Sequence, residues 1–315
     1  MNDQPKNPSV TVERFNTAPI PLISAHFTGR VSELETITRT VNSWKSDKPA
    51  LFAIHGGPGR GKSQLALQYA NLSFESGKYS NIFWASATTK EKATQALANV
   101  LDLVDHKDRH HPEQIVRLMA ARLWLENANQ RGCPSWLFIF DNVTWATVKF
   151  LLEHLPLRNG HGTILVTTRT LDVAEHITDA VKQKQSFLEL LPLSVGQSVE
   201  LLLARAGFDD SAAVDQGDLE KLVKKFGCLP LAVEQAGAYM KQKHMRLDKM
   251  QTPDMLRDVS LSTNTPEHRY LSIRFHRSLA GRTPSNLLTN RIPYRLFLTF
   301  NFKLWVPSLQ TRAIC

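Results

Sequence analysis

The stretch ALFAIHGGPGRGKSQL, residues 50–65, leaves the backbone few choices. A short apolar run reads as a buried strand. It enters a loop with glycine at four of six positions, Gly56, Gly57, Gly59 and Gly61. Lys62 and Ser63 then open a helix, expected over 62–74. The pattern G-x-x-x-x-G-K-[ST] runs through Gly56, Gly61, Lys62 and Ser63. Each part has a physical reason. Glycines turn backbone N–H groups inward and approach phosphate oxygens without a Cβ clash. Lys62 brings a cation for β- and γ-phosphates. Ser63 offers a hydroxyl to Mg²⁺, and the helix N-terminus adds a favourable dipole. The loop and first turn, Gly57, Pro58, Gly59, Arg60, Gly61, Lys62, Ser63 and Gln64, are the expected phosphate cradle.

Such a loop calls for an acid at the end of another buried strand, holding Mg²⁺ through water. WLFIFDN supplies Asp141, 79 residues after Lys62. A third apolar run, ILVTTR, ends in Arg169. At the same sheet edge Arg169 would touch a γ-phosphate and report its presence. Lys62, Asp141 and Arg169 are therefore the expected reactive set, with Ser63 and Asp141 as the metal pair.

The rest of the chain supplies the scaffold. Strands are expected at 50–54, 81–87, 136–140, 163–168 and 186–190, apolar throughout, as when helices cover both faces of a sheet. Helices are expected over 89–101 and 112–129, the second with a stripe of Ile115, Leu118, Met119, Arg122 and Leu123. An earlier helix carries Leu34, Ile37 and Val41, with Ser32 as its expected N-cap. Alternating strands and helices imply parallel pairing. After about residue 190 the pattern becomes helical, with Ser194 capping one helix and Gly207 ending it, then helices near 216–226 and 229–243. The expected fold is α/β: a P-loop NTPase whose parallel sheet is sandwiched by helices, followed by a small all-helical module. The expected divisions are a loose leader over 1–24, a nucleotide-binding domain over 25–190, a helical module over 191–260 and a basic tail over 261–315.

Composition narrows the classes. Hydrophobic residues make up 42% of 315, which excludes a disordered chain. No apolar run reaches about 18 residues, so no membrane span is expected. The N-terminus lacks a secretory pattern, and Cys133, Cys228 and Cys315 are too scattered for a metal or disulfide set. These features lead us to expect a cytoplasmic protein. The net charge of +9 is concentrated: residues 261–315 hold seven arginines and one lysine against Glu267, so the tail carries +7 and the rest +2. That distribution weighs against nucleic acid as the main partner.

In their order, FTGRVSEL (27–34), GGPGRGKSQLA (56–66), NIFWASA (81–87), WLFIFDN (136–142), TILVTTR (163–169), LLPLS (190–194) and GCLPLAVEQAGAYM (227–240) resemble the NB-ARC branch of the STAND NTPases, the switch module of NOD-like receptors, and most of all its fungal members. The resemblance covers roughly 25–245. It implies that Phe27 and Thr28 line an adenine pocket with Arg30 nearby, and that Pro230 presses on the adenine from the helical module. It implies ADP and ATP as ligands with Mg²⁺, a closed ADP state, and an ATP state that self-associates and engages an effector protein. This sequence departs from the family's pattern at Val31, where an acid is frequent, and at Asn142, where a second acid is frequent. An amide cannot take a proton from water at neutral pH, so slow or absent hydrolysis is expected. The family's Met-His-Asp element has no counterpart here, and the chain reads as a receptor core that ends early. Two other readings compete: an AAA-like ATPase touching nucleic acid through the tail, and a truncated remnant that only holds ADP.

Overall fold

The computed structural model describes residues 13–183, 185–207 and 215–243. The first part of the expected leader, the end of the expected helical module and the whole tail over 261–315 lie outside them.

The polypeptide starts with a two-residue strand, β1 (Phe15–Asn16), and a 3₁₀ turn over Ile20–Leu22. Then come α1 (Val31–Ser43), β2 (Ala50–His55), α2 (Lys62–Glu75), β3 (Asn81–Ser86), α3 (Lys90–Leu103) and α4 (Gln114–Glu126). β4 (Trp136–Val143), α5 (Trp145–His154), β5 (Gly162–Thr168), α6 (Leu171–Ala180) and β6 (Phe187–Glu189) complete the α/β part. Three helices follow, α7 (Val195–Ala206), α8 (Gln216–Lys225) and α9 (Pro230–Lys243). The strands form one parallel sheet in the order β1-β3-β4-β5-β2-β6.

The continuous apolar strands have the cause expected of them. Alternate residues serve two cores, one on each face. Leu51, Phe83, Phe138, Phe140 and Val166 face one, shared with α3 to α6. Phe52, Ile54, Ile82, Leu137, Ile139 and Leu165 face the other, shared with α1 and α2. Burying each such side chain contributes about 1.5–3 kcal/mol. Ile37 and Val41 of α1 are buried as the helical spacing implies.

Three expectations change. The leader is not loose over its described part: Phe15 and Asn16 pair with Asn81 and Ile82, Ala18 is buried, and the Phe15 ring meets Phe83 edge-on at 5.2 Å. Ser32 is not the cap of α1. The helix starts two residues earlier than that cap implies, at Val31 behind Arg30 in a left-handed conformation (φ 67°), and Ser32 Oγ donates to Glu33. The stripe expected on α4 is only partly buried. Leu118 is buried, but Ile115, Met119 and Leu123 are 53–57% exposed. The buried face instead uses Leu118, Ala120, Ala121, Trp124 and Leu125. Two alanines allow close approach, and Trp124 meets Phe83 at 6.4 Å between ring centres. The two apolar rows are adjacent, and tertiary contact selects between them.

In the last three helices, Ser194 caps α7 as read from the sequence. Its Oγ accepts from the Gln197 N–H (3.2 Å), and Gln197 Oε1 accepts from the Ser194 N–H (3.1 Å). Gly207 closes that helix at φ 77°. α7 packs against both α8 and α9.

Candidate functional site

The carboxyl ends of β2, β4 and β5 meet at one sheet edge, where ligands of open α/β sheets sit. β2 ends at His55, the loop spans 56–61, and α2 begins at Lys62. Gly56 shows why the first position admits no side chain. Its φ is 149°, and a Cβ there would stand 2.8 Å from the Leu190 carbonyl. Lys62 Nζ donates to the carbonyls of Gly56 (2.8 Å) and Gly57 (3.0 Å), which keeps the ammonium over the loop.

Asp141 lies within β4 rather than after it. Its Oδ1 accepts from Ser63 Oγ at 2.7 Å and from Thr167 Oγ1 at 2.6 Å. The sheet order accounts for this meeting, because β5 lies between β4 and β2 and carries Thr167 between the other two. Thr167 was not singled out from the sequence, where it is one of two threonines ending an apolar run. The register shifts between Phe140 and Val143, and Asn142 takes a left-handed conformation (φ 61°) that asparagine tolerates. Its N–H donates to Thr167 Oγ1 at 2.8 Å. A carboxylate drawn onto a helix-terminal serine hydroxyl is a donor set of the hard-oxygen kind that suits Mg²⁺.

A cleft of about 320 Å³ runs over this group. Lys62, Ser63, Asp141, Asn142, Arg169 and Pro230 line it, with Leu231 and Glu234. The structure thus brings Lys62, Asp141 and Arg169 together. The start of α9 lies on the loop: the Leu231 N–H donates to the Gly59 carbonyl (3.3 Å), and a Cβ on Gly61 would be 3.9 Å from Pro230.

A second, narrower cavity of about 50 Å³ adjoins the first. Phe27, Thr28, Arg30 and Pro230, the residues expected around an adenine, all line it, together with Leu193 and Leu201. It is far below the roughly 300–1,000 Å³ of typical ligand pockets, so a purine would have to part its walls. Several side chains named from the sequence face protein partners. Arg30, 6% exposed, pairs with Glu33 (2.7 Å) and donates to the carbonyls of Leu191 (2.8 Å) and Arg60 (3.2 Å). Burial would raise the Glu33 carboxyl, yet the bonds from Arg30 and Ser32 bring it below the usual range. Arg60 donates to Glu189 (2.8 Å) and the Leu190 carbonyl (3.1 Å). The Gln64 amide accepts from the Ser24 N–H (2.8 Å) and donates to the Leu22 carbonyl (2.9 Å). Thr28 Oγ1 reaches Glu200 of α7 at 3.0 Å, and Ser24 Oγ reaches Glu234 of α9 at 2.7 Å.

His55, just before the loop, is buried and meets Phe187 edge-on at 5.8 Å. Burial pushes its imidazole below its ordinary value. Glu189 pulls the other way, Arg60 and Lys62 push it further down, and Glu175 again opposes. Cys133 is buried and its thiol is pushed up to about 11, which leaves it unreactive. Among the described residues no helix is long and apolar enough to cross a membrane.

A parallel sheet flanked by helices, with a glycine-rich loop opening a helix and an acid on a neighbouring strand, defines the P-loop NTPase class. Within that class the family can be stated: the NB-ARC domain model matches residues 33–207, just over half of the sequence, and the chain belongs to the NB-ARC family. No curated protein sequence matches it. Among solved structures it is similar to Cdc6p from Pyrobaculum aerophilum, with 11% identity, a TM-score of 0.53, and coverage of 76% of this chain and 68% of the other. It is also similar to the ORC2 protein of Aeropyrum pernix, solved as ADPNP and ADP complexes, with 16% identity, a TM-score of 0.49 and coverage of 79% and 71%. At such identities the likeness to Cdc6p is one of fold. The family carries nucleotide binding, and typically Mg²⁺, with it.

Proposed function

We propose that this protein is an adenine-nucleotide switch, which holds ADP or ATP between its α/β part and its helical part and hydrolyses ATP slowly or not at all. The carrying observation is the seat of α9 on the phosphate loop, through Leu231 to Gly59 and Pro230 beside Gly61. A ligand in the cleft touches both parts, so a γ-phosphate can alter how α9 sits. A ligand moves an equilibrium only by its differential contacts with the two states. Arg169 and Lys62 are the cations assigned to that reading. Ser63 and Asp141 are assigned the cation, which would neutralise phosphate charge when bound. Asn142 stands where a base would be useful and offers only an amide, which supports slow turnover.

In this reading the ATP state exposes surfaces for self-association and for an effector. The test is native mass analysis of the purified full chain. We expect ADP or ATP retained in stoichiometric amount, with ATP raising the assembled fraction. Steady turnover near or above the enzyme median of about 10 per second would reject a switch. The nucleic-acid reading depends on the tail outside the described residues, and no observation within them favours it.

A further inference from the structure

We propose that Glu234 reads the sugar of the bound nucleotide and makes the site selective for ribonucleotides over deoxyribonucleotides. The inference rests on the nucleotide-binding reading above and deepens it. The two cavities share one stretch of wall, made by Gly61, Gln64, Pro230 and Glu234. The wider cavity is lined by the residues assigned to phosphate and metal, and the narrower one by the residues assigned to the base. A nucleotide spanning both places its ribose at the shared wall.

Two of the four wall residues have nothing to offer a hydroxyl through their side chains, and a third is already engaged. Gly61 and Pro230 carry no polar side chain. The Gln64 amide is held at both ends by the backbone of Ser24 and Leu22, and as a neutral group it offers a hydroxyl a weaker acceptor than a carboxylate. Glu234 remains. Its Oε1 accepts from Ser24 Oγ at 2.7 Å, which orients the carboxylate. A carboxylate is an acceptor with room for several donors. Ribose presents two hydroxyl donors and phosphate presents acceptors; adenine's own donor, its exocyclic amine, lies at the end of the base away from the sugar. The acid therefore suits the sugar and is unsuited to the phosphates beside it. A hydrogen bond to a charged group is stronger than one between neutral groups, and an analogue lacking the hydroxyl leaves the acid unmatched.

The experiment titrates the full chain, freed of nucleotide, with ADP, 2′-deoxy-ADP and 3′-deoxy-ADP by calorimetry. Wild type should bind ADP at least about tenfold more tightly than one of the deoxy analogues. Glu234→Ala should bring that ratio to about one, chiefly by weakening ADP. Glu234→Gln keeps an acceptor oxygen and should give an intermediate ratio, and it reads the effect if the alanine variant does not fold. A wild-type ratio near one overturns the inference, as does a ratio that survives in both variants. Parallel weakening of all three ligands with the ratio kept would mean that Glu234 only braces α9, and also overturns it. Absence of binding by all three ligands to wild type overturns the nucleotide reading itself, and the sugar reading with it. Intact ADP binding without discrimination sinks only the sugar reading.

Discussion

Lys62 is committed to the carbonyls of Gly56 and Gly57, so its ammonium stands over the loop before any phosphate arrives. Removing it leaves those carbonyls without their donor and takes from an incoming phosphate the cation nearest the loop. Lys62→Ala should weaken ADP by about 100-fold or more, on the scale of charge-assisted hydrogen bonds; unchanged affinity by calorimetry would refute the site. Asp141 differs, because it touches hydroxyls and acts on phosphate only through the cation. Asp141→Ala should leave some ADP binding but abolish the dependence of that binding on Mg²⁺, read by titrations with and without the metal. His55 gives a prediction in pH. Its folded value lies below the unfolded one, so the unfolded chain takes up a proton first. Its contribution is full above about 6.5 and is lost as pH falls through the lower folded value. The gap in melting temperature between wild type and His55→Gln should therefore shrink as pH drops from 7.5 to 5. A gap that widens on acidification would contradict the buried neutral imidazole.

At the scale of elements, the central strands β2 to β5 were legible because each is apolar on both faces, and the phosphate loop because glycine and lysine spacing is chemical rather than tertiary. What was not legible depended on neighbours. β1 is two residues of Phe-Asn, without a period to detect, and exists because the edge of β3 accepts it. The face of α4 was ambiguous because two adjacent apolar rows satisfy one helical period, and Trp124 against Phe83 decides between them. Thr167 and Glu234 carry no local signal and gain a role only when β5 and α9 are placed. Arg30, expected near the base, lines the narrower cavity and also ties the loop to the chain before α7, a bond no local pattern announces. Arg30 is buried but its partner Glu33 is partly exposed to water, so Arg30→Ala should cost about 1–3 kcal/mol, mainly for the carbonyls left without a donor. Chemical denaturation measures that, and a loss under 1 kcal/mol would deny the clamp its structural part.

At the scale of the whole molecule, nucleotide and fold are linked by mass action. ADP at about 100 times its dissociation constant should raise stability by about 2.7 kcal/mol, seen as a higher melting temperature that keeps rising with concentration. A melting temperature indifferent to ADP would argue that the cleft is not where the nucleotide binds. Strand order carries one more consequence. β2 finds its sheet neighbours only in β5 and β6, the first of which begins at Gly162, more than a hundred residues further along the chain. During synthesis the amino-terminal part emerges first, and pairing between such distant segments is slow. Until β5 has left the ribosome, the strand that presents the phosphate loop has two unpaired edges made of ALFAI. The segment that later presents the phosphate loop is therefore one whose edges stay unpaired until more than a hundred further residues have been made.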